Sequence, residues 1–169
     1  MQFLNSETKD LDEIFRLYDA AIEFQKRVFD RAWQPFEREF IETEIAEKRH
    51  WKIITGDKIA AIFSIAFADP LIWKERGANP AIYFHRIAVN PDFRGRKFVP
   101  RIVEWARDYG KTRGVKFVRM DTWGDNRKLI DYYTNCGFEF LGVVTADEIE
   151  KLPKHYEGIS LSLFEMKID

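Results

Sequence analysis

Cysteine is almost missing from this chain. Cys136 stands alone among 169 residues, so no internal disulfide can form, and no cysteine–histidine cluster has the spacing of a zinc site. Histidine is sparse as well: His50, His85 and His155 lie far apart, and no metal is expected. No stretch approaches the ~18 consecutive apolar residues that span a bilayer. Met1-Gln2-Phe3-Leu4-Asn5-Ser6-Glu7 has neither the basic start nor the apolar run of a signal peptide. A cytoplasmic protein without a membrane partner is therefore the expectation. Neither sign of charge prevails. Lys and Arg number 27 against 28 Asp and Glu, a net charge of −1, which argues against a chain that grips nucleic acid by bulk charge. Repeats, low-complexity tracts and linker-like boundaries are also lacking.

What is there is apolar and aromatic. The chain is 46% hydrophobic, with 15 Phe, 5 Trp and 6 Tyr. That suits one packed domain over residues 1–169, with rings to spare for lining a pocket. Leu11, Ile14, Phe15, Tyr18, Ala21, Ile22 and Val28 recur at helical spacing, so a helix is expected from about Thr8 to Phe29. Pro35 opens a second, with Phe36, Phe40, Ile41 and Ile45 on one side. The period then changes. Trp51–Thr55 and Lys58–Ala68, joined by Gly56-Asp57, read as a hairpin. Asp69 to Pro80 reads as a loop, and Ala81–Val89 as a strand ended by Asn90-Pro91. A helix carries Val99, Ile102, Val103, Ala106 and Tyr109, and Gly114 ends it. Val115–Thr122, Phe138–Thr145 and Ile159–Ile168 read as strands, with a short helix from Asn126 to Asn135 between the first two. Met1 to Ser6 is a candidate first strand. The order predicts an α/β domain with a mixed sheet.

Chemistry concentrates after the strand at Ala81–Val89. The loop and helix start carry Arg94, Arg96, Lys97 and Arg101, with no acid between Phe93 and Val103. Backbone N–H groups at a helix start, with the dipole behind them, bind anions. The same dipole disfavours cations there, so packed cations point to a bound phosphate or pyrophosphate rather than to a merely solvated helix end.

This stretch resembles the acetyl-CoA pyrophosphate cradle of the GNAT N-acetyltransferase superfamily, whose pattern is Gln/Arg-x-x-Gly-x-Gly/Ala. Here it runs Arg94-Gly95-Arg96-Lys97-Phe98-Val99, with Lys97 at the fourth position and Val99 at the sixth in place of the family's small residues. A second stretch, Asn126-Arg127-Lys128-Leu129-Ile130-Asp131-Tyr132-Tyr133-Thr134-Asn135-Cys136-Gly137-Phe138, is similar to the family's Asn-x-x-Ala/Leu-x-x-Phe/Tyr-Tyr-x-x-x-Gly-Phe segment at every position. The resemblance implies a single domain with a mixed, mostly antiparallel central sheet flanked by helices. Acceptor-side elements would fill about residues 1–80, the acetyl-CoA-binding core about 81–142, and C-terminal strands the rest to 169.

It also implies site roles. Acetyl-CoA would be the co-substrate, with the strand end Ile87-Ala88-Val89 holding the thioester carbonyl and pantetheine through the N–H of Ala88 or Val89. Asn126 would bind the pantetheine side, and Tyr133 would stand near the sulfur as general acid, a phenol of pKa near ~10 returning a proton to the thiolate. The residue matching the family's strand glutamate is His85, an imidazole able to accept the amine's proton at neutral pH. Asp121 is the alternative base, with water a third route; a buried structural histidine, or for Asp121 a charge partner of Arg86 or Arg119, is the plainer reading. On an alternating strand Tyr83, His85, Ile87 and Val89 would share one face. Trp33 and Trp73, with Asp69 and Asp121, could wall an acceptor site for an ammonium. The expectation is thus an acetyl-CoA-dependent N-acetyltransferase acting on a small-molecule or peptide primary amine by direct attack in a ternary complex. No nucleic acid is expected, and a homodimer is the assembly the family suggests. The alternative is a non-catalytic CoA- or nucleotide-binding module of the same fold.

Overall fold

The computed structural model describes residues 1–29, 31–124, 126–145 and 160–168. Among the described residues, seven strands hydrogen-bond in the order β1-β2-β3-β4-β5-β7-β6. They are β1 (Gln2–Asn5), β2 (His50–Thr55), β3 (Lys58–Ala66), β4 (Ala81–Val89), β5 (Phe117–Trp123), β6 (Glu139–Val144) and β7 (Leu161–Lys167). The helices are α1 (Leu11–Val28), α2 (Arg38–Ala46), α3 (Pro70–Trp73), α4 (Phe98–Lys111) and α5 (Arg127–Asn135). The sheet is mixed and mostly antiparallel, as expected; β4 and β5 run parallel, paired from Ala81↔Phe117 to Phe84↔Met120.

Two compact units divide the chain. The first is Met1–Ile65 with Arg86–Phe98. Its core is one apolar stripe of α1 (Leu11, Ile14, Leu17, Tyr18) packed with Ile41 and Ile45 of α2, Ile59 and Ile62 of β3, and Ala88 of β4. Each such buried side chain contributes about 1.5–3 kcal/mol relative to exposure. Val28, expected on that stripe, is 44% exposed, because the helix ends there. The second helix starts at Arg38 rather than at Pro35. Phe36 is used outside it, its ring 4.8 Å from that of Tyr18.

The second unit is Ala66–His85 with Val99–Asp169. Ile72, Trp73, Ala81, Tyr83, Leu161 and Leu163 form one of its clusters. The expected loop from Asp69 to Pro80 instead holds α3 and a 3-10 turn at Lys74–Ala78. Pro70 opens α3, as proline suits a first helical turn, and Trp73 is pulled to 1% exposure against Tyr83. Buried Arg119 is held by Glu165 at 2.7 Å, by the Tyr83 hydroxyl at 2.7 Å and by the rings of Trp73 and Phe117. His155 and Ile159 lie outside the described residues.

Candidate active site

In the first unit, the end of β4 and the loop beyond it are tied down by one residue. Asn90 is 2% exposed. Its N–H donates to the Ala60 carbonyl at 2.9 Å and its side-chain amide to the Ile59 carbonyl at 2.8 Å. Its Oδ1 accepts from the Asp92 N–H and so caps a 3-10 turn, Pro91–Phe93. The chain then runs through Arg94, Gly95, Arg96 and Lys97, all exposed, into α4 at Phe98. Arg94 lies over the Phe24 ring at 4.3 Å and Arg96 over Phe93 at 5.0 Å. The first turn of α4 carries no acid.

The backbone of this loop answers the question that Lys97 raises. Gly95 has φ +80 and Lys97 has φ +52. Both are left-handed, a region glycine enters freely and other residues at a cost. Lys97 therefore follows the course a glycine would take, and keeps a cation besides. Val99 is 5% exposed and faces the core, so its bulk is absorbed by packing.

Within the second unit three polar groups from three elements converge. His85 of β4 places Nε2 3.8 Å from Asp69 Oδ2. One ligand atom from each of Asp69, His85 and Asp121 lies within 4.8 Å of the others, and all three residues are half-buried. The Asp69 backbone carbonyl accepts from the Trp73 N–H at 2.9 Å. Burial pushes the Asp69 carboxyl up to about 6, against the pull of a hydrogen bond from the Ile72 N–H. A carboxyl tuned there exchanges protons readily near neutral pH. Of the two arginines weighed as partners for Asp121, Arg119 pairs with Glu165 and Arg86 with Glu44.

Tyr133 of α5 is half-buried, its ring 5.4 Å from Phe164 and 6.2 Å from Phe138. Burial, with Tyr132, Cys136 and the charge of Asp121 acting the same way, pushes its phenol well above the ordinary value. Asn126 is the N-cap of α5, its Oδ1 accepting from the Leu129 N–H at 3.2 Å. That bond uses the side-chain oxygen and not the amide N–H₂. Cys136 is half-buried at the C-cap of the same helix.

The two tryptophans fall differently. Trp33 is half-buried on the first unit's core, 6.4 Å from Tyr18 and 5.7 Å from Phe36. Trp73 is within the second unit's core and braces the turn that carries Asp69, instead of offering a face to an acceptor.

Two features were not picked out by sequence reasoning. Arg86 takes φ +51 in the middle of β4, a left-handed state that is uncommon for a residue with a Cβ. The other is Glu44, 2% exposed on the buried stripe of α2 beside Ile41 and Ile45. An acid at helical spacing within an apolar stripe was the available signal.

Comparison with known proteins gives a consistent answer. The family model described as Acetyltransferase (GNAT) family matches residues 11–138. YesJ of Bacillus subtilis (strain 168), described as an uncharacterized N-acetyltransferase, is 30% identical over 106 residues, 57% of this chain and 56% of that protein. The match thus spans about half the length of this curated relative. Among solved structures, a GNAT family acetyltransferase from Listeria monocytogenes 4b F2365 superposes with a TM-score of 0.77 at 20% identity, over 98% of this chain and 94% of that one. Salmonella typhimurium yncA, solved with its cofactor acetyl-CoA, gives 0.68 at 10% identity, over 100% and 94%. These two likenesses are likenesses of fold.

Proposed function

The chain belongs to the GNAT acetyltransferase family, and from that premise we propose that it moves an acetyl group from acetyl-CoA to a primary amine by direct attack in a ternary complex. The observation that carries the reading is the exposed Arg94-Gly95-Arg96-Lys97 loop, left-handed at Gly95 and Lys97, leading into an acid-free helix start. Such a loop offers both the backbone N–H groups and the cations that a diphosphate needs. The Salmonella neighbour, solved with acetyl-CoA, supports the same choice of co-substrate.

The roles follow from the chemistry at hand. Arg94, Arg96 and Lys97 hold the diphosphate, with Gly95, Phe98 and Val99 setting the backbone around it. Ile87, Ala88 and Val89 offer N–H groups to the thioester carbonyl, and the Asn126 amide binds the pantetheine side. His85 takes the proton of the acceptor ammonium, with Asp121 as the alternative acceptor. The freed lone pair attacks the carbonyl carbon, the C–S bond breaks with its electron pair leaving on sulfur, the new amide nitrogen loses its second proton to solvent, and Tyr133 donates a hydrogen bond to the departing thiolate. Asp69 and Asp121 favour a cationic acceptor, a small molecule or a peptide amine, and Trp33 is the aromatic proposed to contact it. The whole span of 1–169 acts as one acetyltransferase domain in the cytoplasm and, after the family, as a homodimer. Among the described residues no helix is long and apolar enough to cross a membrane.

A non-catalytic CoA-binding module draws its support from the side chain at position 97. With Lys97 already left-handed, that support weakens. Calorimetric titration with CoA and with dephospho-CoA tests the loop. Binding of both by the diphosphate is expected, with a smaller contribution from the 3′-phosphate. No heat with either ligand would sink the reading.

A further inference from the structure

The first unit buries an ion pair that the roles above do not use. The Arg86 guanidinium is paired with the Glu44 carboxylate, and the two side chains are only 10% and 3% exposed. The same carboxylate accepts from the Ser64 hydroxyl at 2.7 Å and from Arg49 at 3.2 Å. The guanidinium also lies over the rings of Phe40, at 4.8 Å, and Phe36, at 5.6 Å. Burial alone would raise the Glu44 carboxyl, but the charge and hydrogen bond of Arg86, with the Ser64 bond, bring it below the ordinary value. Glu44 is therefore an anion at neutral pH.

A buried ion pair is weak support for stability, since apolar residues of the same volume often do as well. Its better use is to fix a geometry. Here the geometry is visible: Arg86 is at φ +51 inside a strand, a state a residue with a Cβ does not hold unless its surroundings over-determine it. Glu44, Ser64, Phe36 and Phe40 supply those surroundings. Four residues on, Asn90 is fixed to β3 by its backbone and side-chain bonds to Ala60 and Ile59. The backbone of Ile87, Ala88 and Val89 is thus clamped at both ends.

We propose that the buried Glu44–Arg86 pair positions the Ile87–Val89 backbone so that its N–H groups are aimed at the thioester carbonyl oxygen. Glu44 and Arg86 are positioning residues, and the inference rests on the acetyl-transfer reading above. Donors of this kind act on charge that develops as the carbonyl is attacked, so a slackened backbone lowers turnover more than binding.

Two double variants isolate the backbone from everything else. Glu44→Gln with Arg86→Ala and Glu44→Gln with Arg86→Gly both remove the ion pair and the ring contacts, and leave no buried charge. They differ only in that glycine adopts the left-handed state freely. The assays are thiol release from acetyl-CoA with water as acceptor, calorimetric affinity for CoA, and thermal midpoint. The alanine variant is expected to lose about tenfold in turnover relative to the glycine variant, the factor that a left-handed Cβ imposes, with equal CoA affinity. A wild-type enzyme whose two variants turn over alike overturns this inference alone. A merely structural role would shift midpoint and CoA affinity together and leave turnover per bound enzyme unmoved, which overturns it too. A wild-type protein that neither binds CoA nor releases thiol overturns the acetyl-transfer reading and this inference with it.

Discussion

Replacing Tyr133 by phenylalanine removes one hydroxyl and keeps the ring against Phe138 and Phe164. The structure sets what that hydroxyl can do. Ordinary phenol and thiol values are ~10 and ~8.5, so full proton transfer from phenol to an alkyl thiolate is already uphill by about 2 kcal/mol. Burial, Tyr132, Cys136 and Asp121 push the Tyr133 phenol higher still, and the gap widens. In the proposed reaction Tyr133 would therefore act as a hydrogen-bond donor to the departing sulfur rather than as a full proton donor. A hydrogen bond to a charged group contributes about 1.5–3 kcal/mol. Turnover of Tyr133→Phe should accordingly fall by about 10- to 10²-fold, with CoA affinity unchanged. The raised phenol keeps its proton through the alkaline range, so the wild-type rate should show no alkaline decline between pH 8 and about 10 that the variant lacks. Stopped-time thiol release across that range, with calorimetry for CoA, checks both. A basic limb near pH 9 that disappears in Tyr133→Phe would refute the hydrogen-bond account, and unchanged turnover would return Tyr133 to the core.

Three more perturbations have clear signs. Lys97→Gly relieves a left-handed side chain at φ +52 but loosens the unfolded chain. The net gain should be about 0.5–1 kcal/mol, seen as a small rise in thermal midpoint, with CoA affinity lowered by the lost cation. Asp69 has its carboxyl raised from 3.8 to about 6 by burial. Its contribution to stability is full below the unfolded value and lost as pH rises through about 6, so Asp69→Asn should stabilise the protein at pH 8, by up to about 3 kcal/mol, and leave it unchanged at pH 3; equal midpoints at pH 8 would contradict this. Arg94→Ala with Arg96→Ala should weaken CoA binding by about 10- to 10²-fold, in a salt-dependent manner, while the thermal midpoint holds.

The parts of the site that showed in the sequence are those with a one-residue signature. The short helix expected from Asn126 is α5, with Asn126 as its N-cap, and the Arg94-Gly95-Arg96 stretch expected to lead into a helix does so, with Gly95 left-handed. Lys97 and Arg86 are left-handed too, yet nothing in a lysine or an arginine announces it; Arg86 is paired there with a buried glutamate distant in sequence. The Glu44–Arg86 pair joins residues far apart along the chain, and no local pattern connects them. Asp69 owes its raised carboxyl to burial by a turn that the two prolines and the glycine between Asp69 and Pro80 made read as open loop. Trp73 was legible as an aromatic in the right place, but its burial depended on α3, a helix too short to show a period.

The most direct measurement of acetyl transfer is a paired assay on a panel of primary amines: thiol released from acetyl-CoA, and acetylated product identified by mass. Acetyl transfer requires at least one amine that raises thiol release well above the rate with water, with one mole of N-acetyl product per mole of thiol and loss of both in Arg94→Ala/Arg96→Ala at limiting acetyl-CoA. Tight CoA binding with no acetylated amine anywhere in a panel spanning small amines, amino acids, aminoglycosides and peptide N-termini would contradict it, and would make the protein a CoA-binding module.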